Sequence, residues 1–205
     1  MLLERRQKYA LGGILLYVLA TLYLLNVGFE TLRTDLWIVL FWVIMIFASV
    51  NAAAKSFLQE DKDRMLYYYL ITSAENMLFA KFLYNCILLG IVGLLTLGGF
   101  IFLFGLPIEN LTYFTLILTL GVMGFSAAFT LISSIASKAS SSATLMTVLS
   151  IPIVLPQLSL LIRLSRRAAD GFDISGGGRE LLILLSINVI ILIVSYLLFP
   201  YLWRD

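Results

Sequence analysis

Glu60, Asp61 and Asp63 crowd three carboxylates into four positions, with Lys62 between them and Arg64 directly after. Carboxylates this close could share a divalent cation or divide acid and base roles. A calcium loop, however, spreads its ligands over about twelve residues around an obligatory glycine, and this spacing matches no metal motif. A second charged group lies in the stretch 163–180, RLSRRAADGFDISGGGRE. Arg163, Arg166 and Arg167 there carry planar guanidinium forks that suit carboxylates, and Arg163 and Arg167 share a face if the chain is helical. The plainer use is a snorkelling helix end with local ion pairs to Asp170, Asp173 or Glu180; the alternative is a platform for an acidic outer partner. Histidine is absent, which removes the commonest general base and metal ligand and excludes Ser–His proteolysis. Cys86 is the single cysteine, so it forms no intrachain disulfide and reads as a small buried hydrophobe. No GxxxxGK[ST] sequence occurs, so ATP is not bound through a P-loop. Any energy the protein uses must come from a partner.

The elements that carry these groups are apolar. Of 205 residues 61% are hydrophobic and 13% charged, against roughly 45–50% and about 25% in soluble domains. The class is an all-α polytopic membrane protein whose surroundings are the lipid bilayer, and the length gives one domain, residues 1–205. A net charge of +2 with scattered basic residues does not suit nucleic acid. A bilayer core of roughly 30 Å needs about 20 apolar residues per helix, and six stretches qualify: about 9–29, 36–54, 79–106, 112–137, 143–163 and 181–203. The first is not a signal peptide, since its apolar core is too long and no small-x-small cleavage site follows. Ser133–Ser142 and Gly176–Gly178 read as turns.

No Asp, Glu, Lys or Arg falls in the interior of a span, which counts against an ion-coupled transporter. Asn26, Asn85, Gln157 and Asn188 are expected to bond between helices, and the pairs Gly124/Ala128 and Ser133/Ser137 to allow close helix approach. Pro152 and Pro156, four apart, each remove a backbone donor and predict a kink in the fifth span. Orientation follows from the basic residues of short loops. With the N-terminus cytoplasmic, the inner segments hold nine (Arg5, Arg6, Lys8, Lys55, Lys62, Arg64, Lys81, Lys138, Arg204) and the outer ones five (Arg33, Arg163, Arg166, Arg167, Arg179). Both termini are therefore expected inside.

Residues 55–81, KSFLQEDKDRMLYYYLITSAENMLFAK, hold eight of the 26 charged residues and fall on the cytoplasmic side. A charge block at 60–64 precedes Met65–Ile71. Ser73 or Thr72 is placed to cap the next helix, with Glu75 in its first turn. The pattern fits a short interfacial helix in the loop 55–78, followed by re-entry into the membrane at Met77. Two readings stay open on pattern alone: a solvated loop with tyrosines at the headgroups, or a helix that fills the groove of a soluble partner.

The run Phe57-x-x-Glu60-Asp61-x-Asp63-x-x-Leu66, continued by Leu70, Ser73 and Lys81, resembles the first cytoplasmic loop of the heme exporter protein B family. Pro152-Ile-Val-Leu-Pro156 is similar to the paired prolines of that family's fifth span. The likeness extends over nearly the whole chain and departs at Arg64, where the family usually has glycine, and at Ser73, where it usually has proline. The resemblance implies the ABC-transporter permease of bacterial cytochrome c maturation, with a type-2 exporter-like fold, in the bacterial inner membrane. It implies a second copy of the chain, a cytoplasmic ATPase subunit, a heme-handling membrane subunit and a periplasmic heme chaperone. ATP and heme would sit on partner subunits, with no cofactor or metal held directly and no catalysis by this chain. Phe57, Glu60, Asp61, Asp63, Leu66, Tyr67, Tyr69 and Leu70 would form the coupling helix that receives the ATPase stroke, releasing a heme-loaded chaperone outside. The alternative is the permease of another ABC exporter, for lipid, polysaccharide or drug. A membrane-embedded lipid-modifying enzyme would need an acidic cluster at the membrane edge, for which only Glu60, Asp61 and Asp63 are candidates.

Overall fold

A computed structural model describes residues 2–57, 73–137, 142–172 and 174–204. Among them the regular structure is all helical: α1 (Leu2–Gly28), α2 (Thr34–Phe57), α3 (Ala74–Phe104), α4 (Leu111–Ala136), α5 (Ser142–Ala169) and α6 (Ile174–Arg204). Five have apolar stretches long enough to cross a membrane: Thr34–Ala52, Glu75–Phe104, Leu111–Ala136, Val148–Ala169 and Gly177–Tyr201. The apolar stretch of α1, Gly12–Gly28, is shorter and sits at the low end of the roughly 17–25 residues a span uses.

Local chemistry sets the helix ends. Ser73 caps α3 by accepting from the Asn76 N–H at 3.4 Å, with Glu75 in the first turn as the sequence suggests. Asn110 caps α4 by accepting from the Tyr113 N–H at 3.0 Å. α3 stops at Gly105 and α5 just before Gly171, with φ of 79° and 77°, a region where a side chain would be strained. α5 passes the expected end of the fifth span, because Leu161, Leu164, Ser165 and Ala168, each 0% exposed, continue the buried stripe at helical spacing. α6 begins earlier than expected for a similar reason. Gly176–Gly178 are helical, not a turn, and a Cβ on Gly177 would collide with the Tyr113 hydroxyl. α5 also runs as one helix through Pro152 and Pro156, both exposed.

α4 is the axis of the bundle and packs against α2, α3, α5 and α6, while α1 lies outside on α2 and α3. From Gly124 to Ser134 every α4 residue is buried. Among its described side chains α1 buries one stripe, Ile14, Val18 and Leu22, and Leu22 occupies the space a side chain on Gly99 would need. Trp37, Phe41, Phe100 and Phe114 form an aromatic centre near one end of the bundle. Trp37 stacks on Phe41 at 5.6 Å and meets Phe100 edge-on at 5.0 Å.

Candidate functional site

Apolar contacts between helices gain little in lipid, since the tails are as apolar as the side chains. Polar links therefore decide how this bundle is held, and they occur at two levels. At mid-bundle, the Gln157 Nε2–H of α5 donates to Asn188 Oδ1 of α6 at 2.8 Å, and Asn188 Nδ2–H donates to the Leu120 carbonyl of α4 at 2.9 Å. Gly124 makes the link possible, because a Cβ there would lie 2.5 Å from Asn188 Oδ1 and 2.7 Å from Gln157 Nε2. Asn85 Nδ2–H of α3 donates to Thr130 Oγ1 of α4 at 2.9 Å. The expected interhelical role thus holds for Asn85, Gln157 and Asn188, whereas Asn26 is exposed. Gln157 Oε1 and Asn85 Oδ1 remain buried without a hydrogen-bond partner.

The second level is the end of the bundle where α2 and α4 begin and α5 ends. Arg166 Nε pairs with Asp35 at 3.0 Å, and Arg167 pairs with Glu180 at 2.6 Å. The Asn110 N–H donates to the Ala168 carbonyl at 3.0 Å and its side-chain amide to the Phe172 carbonyl at 3.4 Å. Trp42 Nε1–H donates to Ser165 Oγ at 2.9 Å, which ties α2 to α5 beneath the ion pairs. Two of the three arginines with partner-binding potential are therefore engaged within the chain, while Arg163 is exposed. An acidic molecule approaching Arg166 or Arg167 must compete with Asp35 or Glu180. Sequence reasoning missed Asp35, Asn110 and Ser165 in this network. Asn110 alone carried a local signal, as an Asn just before an apolar helix.

At the opposite end, α2 closes on Phe57 and α3 opens at Ala74. Glu60, Asp61, Asp63, Leu66, Tyr67, Tyr69 and Leu70 lie outside the described residues. Lys81, one of the basic residues assigned to the inner segments, is buried, at 7% exposure, and engaged with a neighbour. Cys86 is half-buried. Among the described residues no group of three or more His, Cys, Asp or Glu is placed to hold a metal ion.

The profile of the CcmB protein family matches residues 1–201. No curated protein and no solved structure matches the chain. The family match takes in the charged loop as well as the helices, so the resemblance read from Phe57–Lys81 and Pro152–Pro156 holds along essentially the full length. A multi-pass helical bundle matched from end to end in this way belongs to the CcmB family, the heme exporter protein B family of membrane transport subunits in cytochrome c maturation.

Proposed function

We propose that this chain is the permease of an ABC-type complex in the bacterial inner membrane, and that it converts ATP hydrolysis by a cytoplasmic partner into release of a heme-loaded chaperone outside. Family membership over residues 1–201 is the observation that carries this reading. Residues 57–70 serve as the coupling segment in the proposal, with Phe57, Leu66, Tyr67, Tyr69 and Leu70 filling the ATPase groove and Glu60, Asp61 and Asp63 orienting it. Both termini face the cytoplasm, from the bias of nine basic residues against five. A second copy of the chain, a heme-handling membrane subunit and the chaperone complete the assembly, and heme and ATP are bound on those partners. The two levels of polar links suit a transmitter of movement: α4, α5 and α6 are tied at mid-bundle and again at the outer end, so displacement of one moves the others.

The test is genetic. Deleting the gene should abolish covalent heme attachment to c-type cytochromes, read by heme-stained gels, and a plasmid copy should restore it. Normal cytochrome c in the deletion strain would contradict the reading.

A further inference from the structure

A groove of about 450 Å³ opens between α3, α4 and α6, at the end of the bundle where α3 begins and α6 finishes. Its walls are apolar, with Leu78 and Phe82 on α3 and Leu192, Ile193 and Leu197 on α6. Polarity concentrates at one end, where Glu75, Asn76 and Tyr196 also line it. Glu75 and Tyr196 meet at this end of the groove, which places an acidic group at the level where the α3 apolar run starts. We propose that this groove is a phospholipid site: one acyl chain lies along the apolar wall, and a primary-amine headgroup, as in phosphatidylethanolamine, sets its ammonium on Glu75.

Three observations select this occupant. First, the groove opens sideways, since Phe79, Ile193 and Tyr196 are 65%, 52% and 53% exposed within stretches long and apolar enough to cross a bilayer, so its mouth is on the flank of the bundle, at the depth of lipid tails. Second, the volume is on the scale of one unbranched chain, whereas a helix about 10 Å across would fill it in roughly one turn. Third, among the described residues no basic side chain lines the groove. Against these residues an anionic headgroup would meet the Glu75 carboxylate, whereas an ammonium gains a charge-assisted hydrogen bond. The proposal does not depend on the coupling role and survives its failure.

The full chain reconstituted in nanodiscs of equal phosphatidylethanolamine and phosphatidylglycerol, then released and analysed by native mass spectrometry, tests it. Phosphatidylethanolamine should be retained over phosphatidylglycerol by roughly threefold, as expected for one partly exposed ion pair. Glu75→Gln should erase that preference, and Tyr196→Phe should reduce it. Ile193→Trp, at an exposed rim position, should lower retention of both lipids by filling the groove. Equal retention of the two lipids by the unaltered chain, or a preference that persists in Glu75→Gln, overturns the headgroup assignment. Unchanged retention in Ile193→Trp overturns the groove. Efficient cross-linking of Phe79→Cys or Ile193→Cys to another protein chain in native membranes also overturns it, because the site would then be covered by protein.

Discussion

Gly124 and Gln157 contribute to one hydrogen-bonded link but should respond differently to substitution. A side chain at Gly124 collides with both amide groups at once, so Gly124→Val must displace Gln157 and Asn188 and part α4 from α5 and α6. Removing Gln157 is milder. Its Oε1 is already buried without a partner, and interhelical hydrogen bonds in membranes average only about 0.6 kcal/mol. Gly124→Val should therefore lower the Tm in detergent clearly, by an amount matching about 2 kcal/mol or more of overpacking, while Gln157→Leu should cost about 0.6 kcal/mol. Equal losses from thermal melts of the two variants would show that the link is not held open by the glycine. The small-residue pair Gly124/Ala128 was visible in the sequence, but what it makes room for was not. Its tenants come from residues 157 and 188, which no local pattern joins to position 124.

At the scale of the element, the end of α5 shows how an apolar pattern outlasts its expected boundary. Arg163, Arg166 and Arg167 look like the limit of a span, yet Leu164, Ser165 and Ala168 keep the buried stripe going to Ala169. The arginines lie off that stripe, and Arg166 and Arg167 pair sideways. Charge pairing of Arg167 with Glu180 was legible as a possibility, whereas Asp35, far off in the chain, gave no such sign. The two pairs should differ in strength. Arg166 and Asp35 have side chains 51% and 60% exposed, Arg167 and Glu180 37% and 22%. A double-mutant cycle to alanine should give about 0–0.5 kcal/mol for the first pair and about 1 kcal/mol for the second. Salt at about 1 M, where the screening length falls to roughly 3 Å, should erase the first coupling and leave part of the second. A larger coupling for Arg166–Asp35 would contradict this ranking.

Over the whole molecule, the all-helical membrane class followed from composition and apolar run length, because a bilayer imposes one length scale on every span; among the described residues six helices stand where six spans were expected, five of them long and apolar enough to cross. The Ser73 cap was also readable, since it depends on residues three apart. The central position of α4 was not readable, as all the spans are apolar and a helix buried on every side looks much like one that faces lipid. Orientation rests on loop charge and makes its own prediction. In a Cys86→Ser background, Lys62→Cys and Lys138→Cys should resist an impermeant thiol reagent in intact cells, whereas Arg179→Cys should react. Labelling of either inner position from outside would invert the topology.

In the proposed complex residues 57–70 receive the stroke of a partner ATPase. Exposed ion pairs are worth about 0–1 kcal/mol each, whereas truncating a buried interface aromatic commonly costs about 2 kcal/mol or more. Tyr67→Ala or Tyr69→Ala should therefore weaken the partnership more than Asp61→Asn, whose smaller effect should depend on salt. The most direct measurement is recovery of the ATPase with the purified permease after Tyr67–Leu70 are all replaced by alanine, with membrane levels of the permease verified alongside. The ATPase should be lost and cytochrome c maturation should stop while the permease still inserts at normal levels. ATPase recovery and maturation at the level of the unaltered chain would contradict it and leave the segment a membrane-surface loop.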